Sequence, residues 1–257
     1  MTKTNVQIRK KAVAIHLFLS LLILSILTAT VIRIWYPAPY RELTGGYFLL
    51  MLIIGVDLLC GPFLTALVFN PKKSRRALIT DLTTIIFIQL MALSYGTYSI
   101  FMARPVAEVF EVDRMVVVTA AQIDQSTLNQ APKNYQTLPT NGEIFLLSAR
   151  AAQGAKEMLE STMMSVQGIE PSARADWWQE FSVVQPTIKQ IMKPISKLID
   201  RPGSNKKEIL RAVEATGLPL QDAYYLPLVS FTKKSSHIRI FDNRANPVGY
   251  AKSDGFL

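Results

Sequence analysis

The sequence predicts an integral membrane protein in which three N-terminal transmembrane helices precede an α+β extracytoplasmic domain with a mainly antiparallel sheet. Of its 257 residues, 49 % are apolar, and the mean hydropathy is +0.22. The apolar excess lies in the first 104 residues, whereas short β-rich runs alternate with helical patterns after that point. We therefore expect a transmembrane domain over residues 1–104 and an α+β domain over 105–257.

Three apolar runs are each long enough to cross a bilayer, at about residues 12–34, 47–69 and 79–103. A helix rises about 1.5 Å per residue, so about 20 residues span the hydrocarbon core. The first run exceeds the hydrophobic core of a signal peptide, and Thr28-Ala29-Thr30 matches a cleavage site poorly. This favours an uncleaved anchor over a cleaved signal peptide.

Basic residues predict the orientation of the spans. They precede the first span and fill the loop between the second and third: Lys3, Arg9, Lys10, Lys11, Lys72, Lys73, Arg75 and Arg76. Short loops rich in Lys and Arg stay in the cytoplasm, so we expect a cytoplasmic amino terminus and an outer location for the chain after Arg104. The aromatic residues expected in the outer membrane interface are Trp35, Tyr36, Tyr40, Tyr47 and Tyr98.

The net charge of +9 reflects this topology. Residues 1–103 hold 10 bases and three acids, whereas residues 104–257 hold 18 bases and 16 acids. A basic excess confined to the apolar part argues against a nucleic-acid partner, because such binding needs basic residues clustered on a polar face. Cys60 lies in the second span, so the outer domain has no disulfide.

Asp57 lies midway along the second span, where a carboxylate costs about 3 kcal/mol on the insertion scale. Asp57 is 13 residues before Asn70 and Gln89 is 12 residues after Ala77, so antiparallel packing places the two polar residues at one depth. An intramembrane acid either has a function or forms a hydrogen bond to a neighbouring helix. Both interpretations of Asp57 stay open.

His16 and Asp81 lie at similar depths near the cytoplasmic rim, where they can pair. Alternatively, the Asp81 carboxylate is solvated or held by Arg75 and Arg76. A single histidine beside a carboxylate forms neither a metal site nor a catalytic relay.

Short β-rich runs predict strands over residues 106–112, 115–119, 145–149, 224–231, 237–241 and 247–251. Pro227 cannot donate a ladder hydrogen bond and predicts that its strand lies at a sheet edge. Helical patterns occur over 155–166, 187–199 and 206–216, and Pro194 is expected to bend or split the second. Five residues are interpreted either as a binding surface or as core: Met158, Met163, Met164, Trp177 and Trp178.

Sequence motifs for catalysis or cofactor binding are absent. The sequence contains no G-x-S-x-G, Walker loop, G-x-G-x-x-G, H-E-x-x-H or C-x-x-C. Its two histidines, His16 and His237, are 221 residues apart and fall in different domains. We expect no catalytic, metal or cofactor site, and a binding or assembly protein rather than an enzyme.

Motifs in the second and third spans and in the start of the outer domain resemble a known family. They are Gly55-Val56-Asp57, Gly61-Pro62, Phe69-Asn70-Pro71-Lys72, Arg76 with Asp81-Leu82, Gln89, Tyr95-Gly96, Ala103-Arg104-Pro105-Val106 and Val112-Asp113-Arg114, with a weaker echo at Ile240-Phe241-Asp242 and Pro247-Val248-Gly249. The sequence is similar to type IV pilin accessory proteins of bacterial inner membranes, of the TfpX/TfpZ type. The likeness is strong over about residues 45–115 and diffuse over 120–235.

The resemblance implies an inner-membrane protein with a periplasmic domain, a pilin chaperone that assists the stability or assembly of the major pilin or modulates pilus dynamics. The implied partners are the major pilin, through its hydrophobic N-terminal helix and its head, inner-membrane proteins of the pilus machine, and membrane lipid. Candidate partner-binding or intramembrane polar residues are Asp57, Asp81, Gln89 and His16. Asp81 best matches the depth of the cationic pilin amino terminus. Candidate residues of the membrane-to-domain junction are Arg104, Pro105, Asp113 and Arg114.

Two other classes of protein stay open at this point. A membrane-anchored periplasmic sensor or regulator normally signals to a cytoplasmic module, whereas the inner segments here have only about ten residues. A membrane enzyme that modifies an envelope substrate needs a convergent polar pocket, which the sequence neither reveals nor excludes.

Overall fold

The computed structural model describes residues 3–231 and 233–256, with side chains over 6–231 and 237–256. The chain forms two compact units. The helical unit comprises Met1–Tyr36 and Gly46–Met102, and the sheet unit comprises Pro37–Gly45 and Ala103–Leu257. The segment Pro37–Gly45, placed by the sequence in the transmembrane domain 1–104, thus belongs to the sheet unit.

Three long helices form the helical unit. Helix α1 spans Lys3–Thr30 and continues as a π-helical turn over Val31–Trp35, the short α2 of the sheet unit spans Tyr40–Leu43, α3 spans Gly46–Val68, and α4 spans Arg75–Met102. The segments Val6–Trp35, Gly46–Val68 and Arg75–Met102 are long and apolar enough to cross a membrane. The predicted three apolar helices before a domain with helices and strands are therefore present.

Tyr36 anchors a small apolar core of the helical unit, formed with Val31, Leu50 and Ile100. Its side chain is buried, and its hydroxyl donates a 2.7 Å hydrogen bond to the carbonyl of Ile100. Gly46 leaves room for the ring, because a Cβ there would lie 2.0 Å from Tyr36 Cε1. Tyr36 and Tyr40, two of the aromatic residues expected in the outer membrane interface, are buried, and their hydroxyls have internal partners.

The outer surface of the helical unit is apolar. Four of its large side chains are at least 70 % exposed, namely Phe48, Leu59, Leu67 and Tyr95. Water would disfavour so large an apolar surface, whereas lipid tails can cover it. This exposure is consistent with membrane anchoring.

One sheet of eight strands lies in the described part of the sheet unit. The strands are β1 Pro105–Glu111, β2 Arg114–Thr119, β3 Phe145–Ala149, β4 Trp178–Glu180, β5 Lys193–Pro194, β6 Tyr224–Ser230, β7 Lys233–Phe241 and β8 Pro247–Lys252. Their order is β4-β3-β1-β2-β6-β7-β8, and β5 pairs with β6 beside this path.

The sheet is mixed, which corrects the prediction of a mainly antiparallel sheet. Strand β1 is parallel to β3, and β2 is parallel to β6. Turn residues in the sequence predict hairpins such as β1–β2 and β7–β8. The two parallel pairs join strands separated by long connections, for which no local signal exists.

Strand β6 is internal, so the edge position inferred from Pro227 is wrong. Residues Tyr224 and Tyr225 pair with β5, whereas Leu228 to Ser230 pair with β2. Pro227 lies between these two ladders, at the point where one side of β6 changes partner. A proline is tolerated there because neither ladder requires a hydrogen bond from its nitrogen.

Four helices of the sheet unit, which follow β3 in the chain, match the helical patterns of the sequence. They are α5 Ala155–Val166, α6 Gln185–Ile191, α7 Ile195–Ile199 and α8 Lys206–Thr216. Pro194 splits the pattern over 187–199 into α6 and α7, as predicted. Alternate residues of β2 enter different cores, since Met115 packs in one cluster and Val116 in another. Both faces of the central sheet are therefore covered.

Candidate functional site

The three long helices form an elongated groove of about 380 Å³, which we call the lateral groove. Helix α3 packs against both α1 and α4 and contributes the floor. The apolar walls are Ile15, Leu19 and Ile23 from α1 and Ile86, Leu90 and Leu93 from α4. The lining residues extend over 12–23 and 82–93, so the groove runs along about 17 Å of helix.

The lateral groove is open to its surroundings. Four wall residues, Ile15, Leu19, Ile86 and Leu90, are each 50–52 % exposed. An elongated apolar occupant, such as a helix or an acyl chain, therefore fits its shape.

Polar side chains from all three helices meet on the groove floor. Asp57, Gly61 and Thr65 follow one another at intervals of four residues and so lie on one face of α3. A Cβ at Gly61 would lie 2.0 Å from Gln89 Nε2 and 2.8 Å from His16 Nε2. Gly61 thus lets Gln89 of α4 and His16 of α1 approach the α3 backbone.

The structure brings together some of the predicted intramembrane residues. Gln89 Nε2 donates to Asp57 Oδ1 at 3.5 Å, the long limit for a hydrogen bond. Depth counting from the sequence anticipates this pair. Asp57, Gln89 and His16 all line the lateral groove.

His16 and Asp81 have different partners instead of pairing with each other. His16 Nδ1 is 2.7 Å from Thr65 Oγ1, a contact that the sequence did not indicate. Asp81 forms a 2.6 Å ion pair with Lys73, rather than with Arg75 or Arg76. A role for Asp81 in partner binding stays a prediction.

The four junction candidates fall at opposite ends of the β1–β2 hairpin. Arg104 is buried and its Nε donates to the carbonyl of Pro139 at 3.0 Å, and Pro105 pairs with Thr119. Asp113 and Arg114 lie at the hairpin turn and form a 2.7 Å ion pair. Arg104 and Pro105 therefore lie where the chain enters the sheet, whereas Asp113 and Arg114 do not.

Helix α5 presents a second candidate surface, which we call the α5 face. Its apolar side chains Met158, Leu159, Met163 and Val166 are 66 %, 63 %, 59 % and 86 % exposed. Methionine side chains adapt to varied partners and are common at binding surfaces. The interpretation of Met158 and Met163 as surface residues is the one that matches the structure.

Polar contacts on the opposite side of α5 hold the helix so that its apolar face is exposed. Arg150 donates two hydrogen bonds, of 2.8 and 2.7 Å, to the Glu157 carboxylate, and the Gln153 backbone N–H also donates to it. Ser161, one turn further along α5, is buried. The helix therefore packs through its polar side.

Glu157 makes this packing dependent on pH. The hydrogen bonds from Arg150 lower the pKa of the Glu157 carboxyl from 4.5 to about 2. Because the folded state has the lower pKa, the stabilisation is complete above about pH 5 and is lost as the pH falls through about 2. We expect the unfolding temperature of the wild type to exceed that of Glu157→Gln at pH 6, and this gap to shrink toward pH 2.5.

Glu160→Gln is the matched control for that measurement, because Glu160 is an exposed carboxylate on the same helix. It should change the unfolding temperature little at either pH. A gap between wild type and Glu157→Gln that stays constant from pH 6 to 2.5 would contradict the assigned role of the Arg150–Glu157 pair.

Trp177 and Trp178 are core residues, in contrast to Met158 and Met163, whereas Met164 is half-buried and its sulfur lies 3.4 Å from Arg174 Nη1. They are 2 % and 4 % exposed. The guanidinium groups of Arg150 and Arg174 lie 4.5 and 4.3 Å from the Trp177 ring centroid. Trp178 Nε1 donates to the carbonyl of Ser172 at 2.8 Å.

A triad of Tyr40, Glu108 and Arg239 joins the segment Pro37–Gly45 to the sheet. Tyr40 donates a 2.7 Å hydrogen bond to Glu108 Oε2, and Arg239 Nε lies 3.2 Å from Glu108 Oε1. The Glu108 side chain is 1 % exposed. Burial, together with the nearby Glu108 carboxylate, raises the pKa of Tyr40. Sequence reasoning missed this triad because its members are up to 199 positions apart.

Residues 3–231 and 233–256 contain no cluster of three or more His, Cys, Asp or Glu side chains placed to hold a metal ion.

Comparison with known proteins adds an independent finding. The family described as fimbrial assembly protein FimB matches residues 4–45. A fimbrial assembly protein of Dichelobacter nodosus serogroup I is 33 % identical over 257 residues, which cover 100 % of this chain and 99 % of that protein. The serogroup E1 protein is 32 % identical over the same coverage.

The fimbrial assembly protein of serogroups C1 and C2 is 41 % identical over 131 residues, which are 51 % of this chain and 100 % of that protein. No solved structure matches this chain significantly.

Proposed function

Because the chain belongs to the fimbrial assembly proteins of type IV pilus systems, we propose that it acts in pilus assembly by binding the major pilin in the bacterial inner membrane. In this proposal its amino terminus is cytoplasmic and its sheet unit is periplasmic. The basic residues Arg9, Lys10 and Lys11, with those of the loop 72–76, support this orientation.

The lateral groove is the observation that carries the proposal. Its apolar walls are open between α1 and α4, so in a bilayer a helix can enter by moving in the membrane plane. The family resemblance implies a pilin with a long hydrophobic N-terminal helix. Such a helix has the shape and the apolar surface that the groove accepts.

The α5 face is the proposed contact for the pilin head. It exposes four large apolar side chains on a helix that is anchored through its polar side. The proposed role is binding without catalysis, as a chaperone that holds the membrane-stored pilin. Inner-membrane proteins of the pilus machine and membrane lipid are further proposed partners.

Photo-crosslinking in intact cells tests the proposal. A photoreactive amino acid replaces Ile86 in the groove wall, Met163 on the α5 face or, as a control, Ile88. Ile88 is a close match for Ile86, because the two are 54 % and 51 % exposed on the same helix, but Ile88 does not line the groove. We expect the major pilin to be captured from Ile86 and Met163 and much less from Ile88.

Mass spectrometry of the captured proteins distinguishes the outcomes. Capture of pilus-machine proteins alone would move the role to regulation of the machine. Equal pilin capture from Ile86 and Ile88 would contradict groove binding.

A further inference from the structure

We infer that the polar floor of the lateral groove selects a transmembrane helix that carries a hydrogen-bond donor near the middle of the membrane. The donor can be a protonated amine, an amide or a hydroxyl. This inference deepens the proposed function and rests on it, because it takes the occupant to be a transmembrane helix.

The hydrogen-bonding state of Asp57 on the groove floor supports a donor. A carboxylate accepts hydrogen bonds at about four lone-pair positions. Within the described residues, the hydrogen bond that reaches the Asp57 carboxylate is the long one from Gln89, at 3.5 Å. Asp57 therefore has acceptor capacity left on a surface that lines the groove.

The depth of Asp57 supports a donor that lies within the bilayer. Asp57 is 11 residues from each end of α3, Gly46 and Val68. In a bilayer this position is at mid-depth, where water does not supply the missing hydrogen bonds. A partner helix can supply them, and doing so stabilises the complex because an unpaired carboxylate in hydrocarbon is strongly unfavourable.

An acyl chain or a wholly apolar helix is a poorer occupant. Either can contact the apolar walls formed by residues such as Leu19 and Leu90. Neither offers a donor to Asp57, so each would cover the carboxylate without satisfying it. The walls thus accept many apolar partners, and the floor discriminates among them.

The test uses the purified full-length protein in lipid vesicles with synthetic transmembrane peptides. The peptides are Leu/Ala helices that differ only at the central residue, which is Lys, Asn or Leu. Fluorescence energy transfer from peptide to protein reports binding. We expect the Lys and Asn peptides to bind about five- to thirtyfold more tightly than the Leu peptide.

Variants of the floor, with a control substitution outside the groove, identify the contact. Asp57→Leu should abolish the preference, and Ile88→Trp should preserve it. If Asp57→Leu fails to fold, Asp57→Asn removes the charge and keeps an acceptor oxygen. Asp57→Asn should then weaken the Lys peptide more than the Asn peptide, whereas an equal effect on both peptides, or no effect on either, would overturn the inference.

The remaining outcomes separate the inference from the proposed function. Equal binding of all three peptides, blocked by Ile86→Trp, means that the groove recognises shape alone, which overturns the inference and leaves the proposed function standing. Failure to bind any peptide, together with loss of pilin crosslinking from Ile86, removes both. Copurified lipid that only Ile86→Trp displaces would assign the groove to lipid. Peptide binding that falls as the density of protein in the vesicles rises would assign the groove to a second copy of the chain. Either result overturns the inference.

Discussion

Ile86→Trp is expected to lower pilin capture by the protein, and the number of pili on the cell, about fivefold or more. The indole would occupy the groove between α1 and α4, where the wild-type side chain is half-exposed. Extra bulk in a packed contact costs about 1–3 kcal/mol, and 1.4 kcal/mol corresponds to a tenfold change in affinity. Coprecipitation of the pilin and counts of surface pili measure the effect.

Ile88→Trp is the control for this substitution, because it adds the same bulk to the same helix outside the groove. It should leave pilin capture and piliation near wild-type levels at equal protein abundance. Normal piliation in Ile86→Trp, or an equal loss in both variants, would contradict a specific role for the groove.

Glu108→Ala is expected to destabilise the sheet unit by about 3–5 kcal/mol, because it leaves the Arg239 guanidinium largely buried without its partner. Tyr40→Phe removes one hydrogen bond to the carboxylate and should cost about 1.5–3 kcal/mol. The full-length protein in detergent is unfolded with increasing denaturant, and the fraction of unfolded sheet unit at each concentration is monitored by its susceptibility to proteolysis. The shift in the unfolding midpoint measures both effects.

The double variant Glu108→Leu with Arg239→Met is the control for this prediction. Replacing both charges with apolar side chains removes the unpaired ion, so the double variant should be more stable than Glu108→Ala. A double variant as unstable as Glu108→Ala would indicate that packing volume, rather than charge pairing, determines stability at this site.

Local sequence patterns predicted much of the sheet unit. The strands over 145–149 and 247–252 and the helices over 155–166 and 206–216 lie where periodicity and turn residues indicated. The parallel pairs β1–β3 and β2–β6 were missed because pairing between distant strands leaves no local signal. The sequence left open whether the apolar face of α5 is exposed or packed, since the periodicity marks a face but does not say what covers it.

The lateral groove was partly predictable. Counting residues from a shared loop placed Asp57 and Gln89 at one depth, because α3 and α4 are consecutive antiparallel helices. The contact of His16 with Thr65 depends on how α1 rotates against α3, which the sequence does not reveal. The role of Gly61 as the point of close approach for His16 and Gln89 became visible only with side chains in place.

Disulfide mapping in cells tests most directly the central claim that the lateral groove binds the pilin's transmembrane helix. Cys60 is replaced by Ala, one cysteine is placed at Ile86, and a second cysteine is scanned along the hydrophobic helix of the pilin before oxidation. Binding in the groove predicts crosslinks that recur every three to four pilin residues, because one face of that helix meets the wall. Crosslinks that are absent, or equally strong at every pilin position, would contradict the claim.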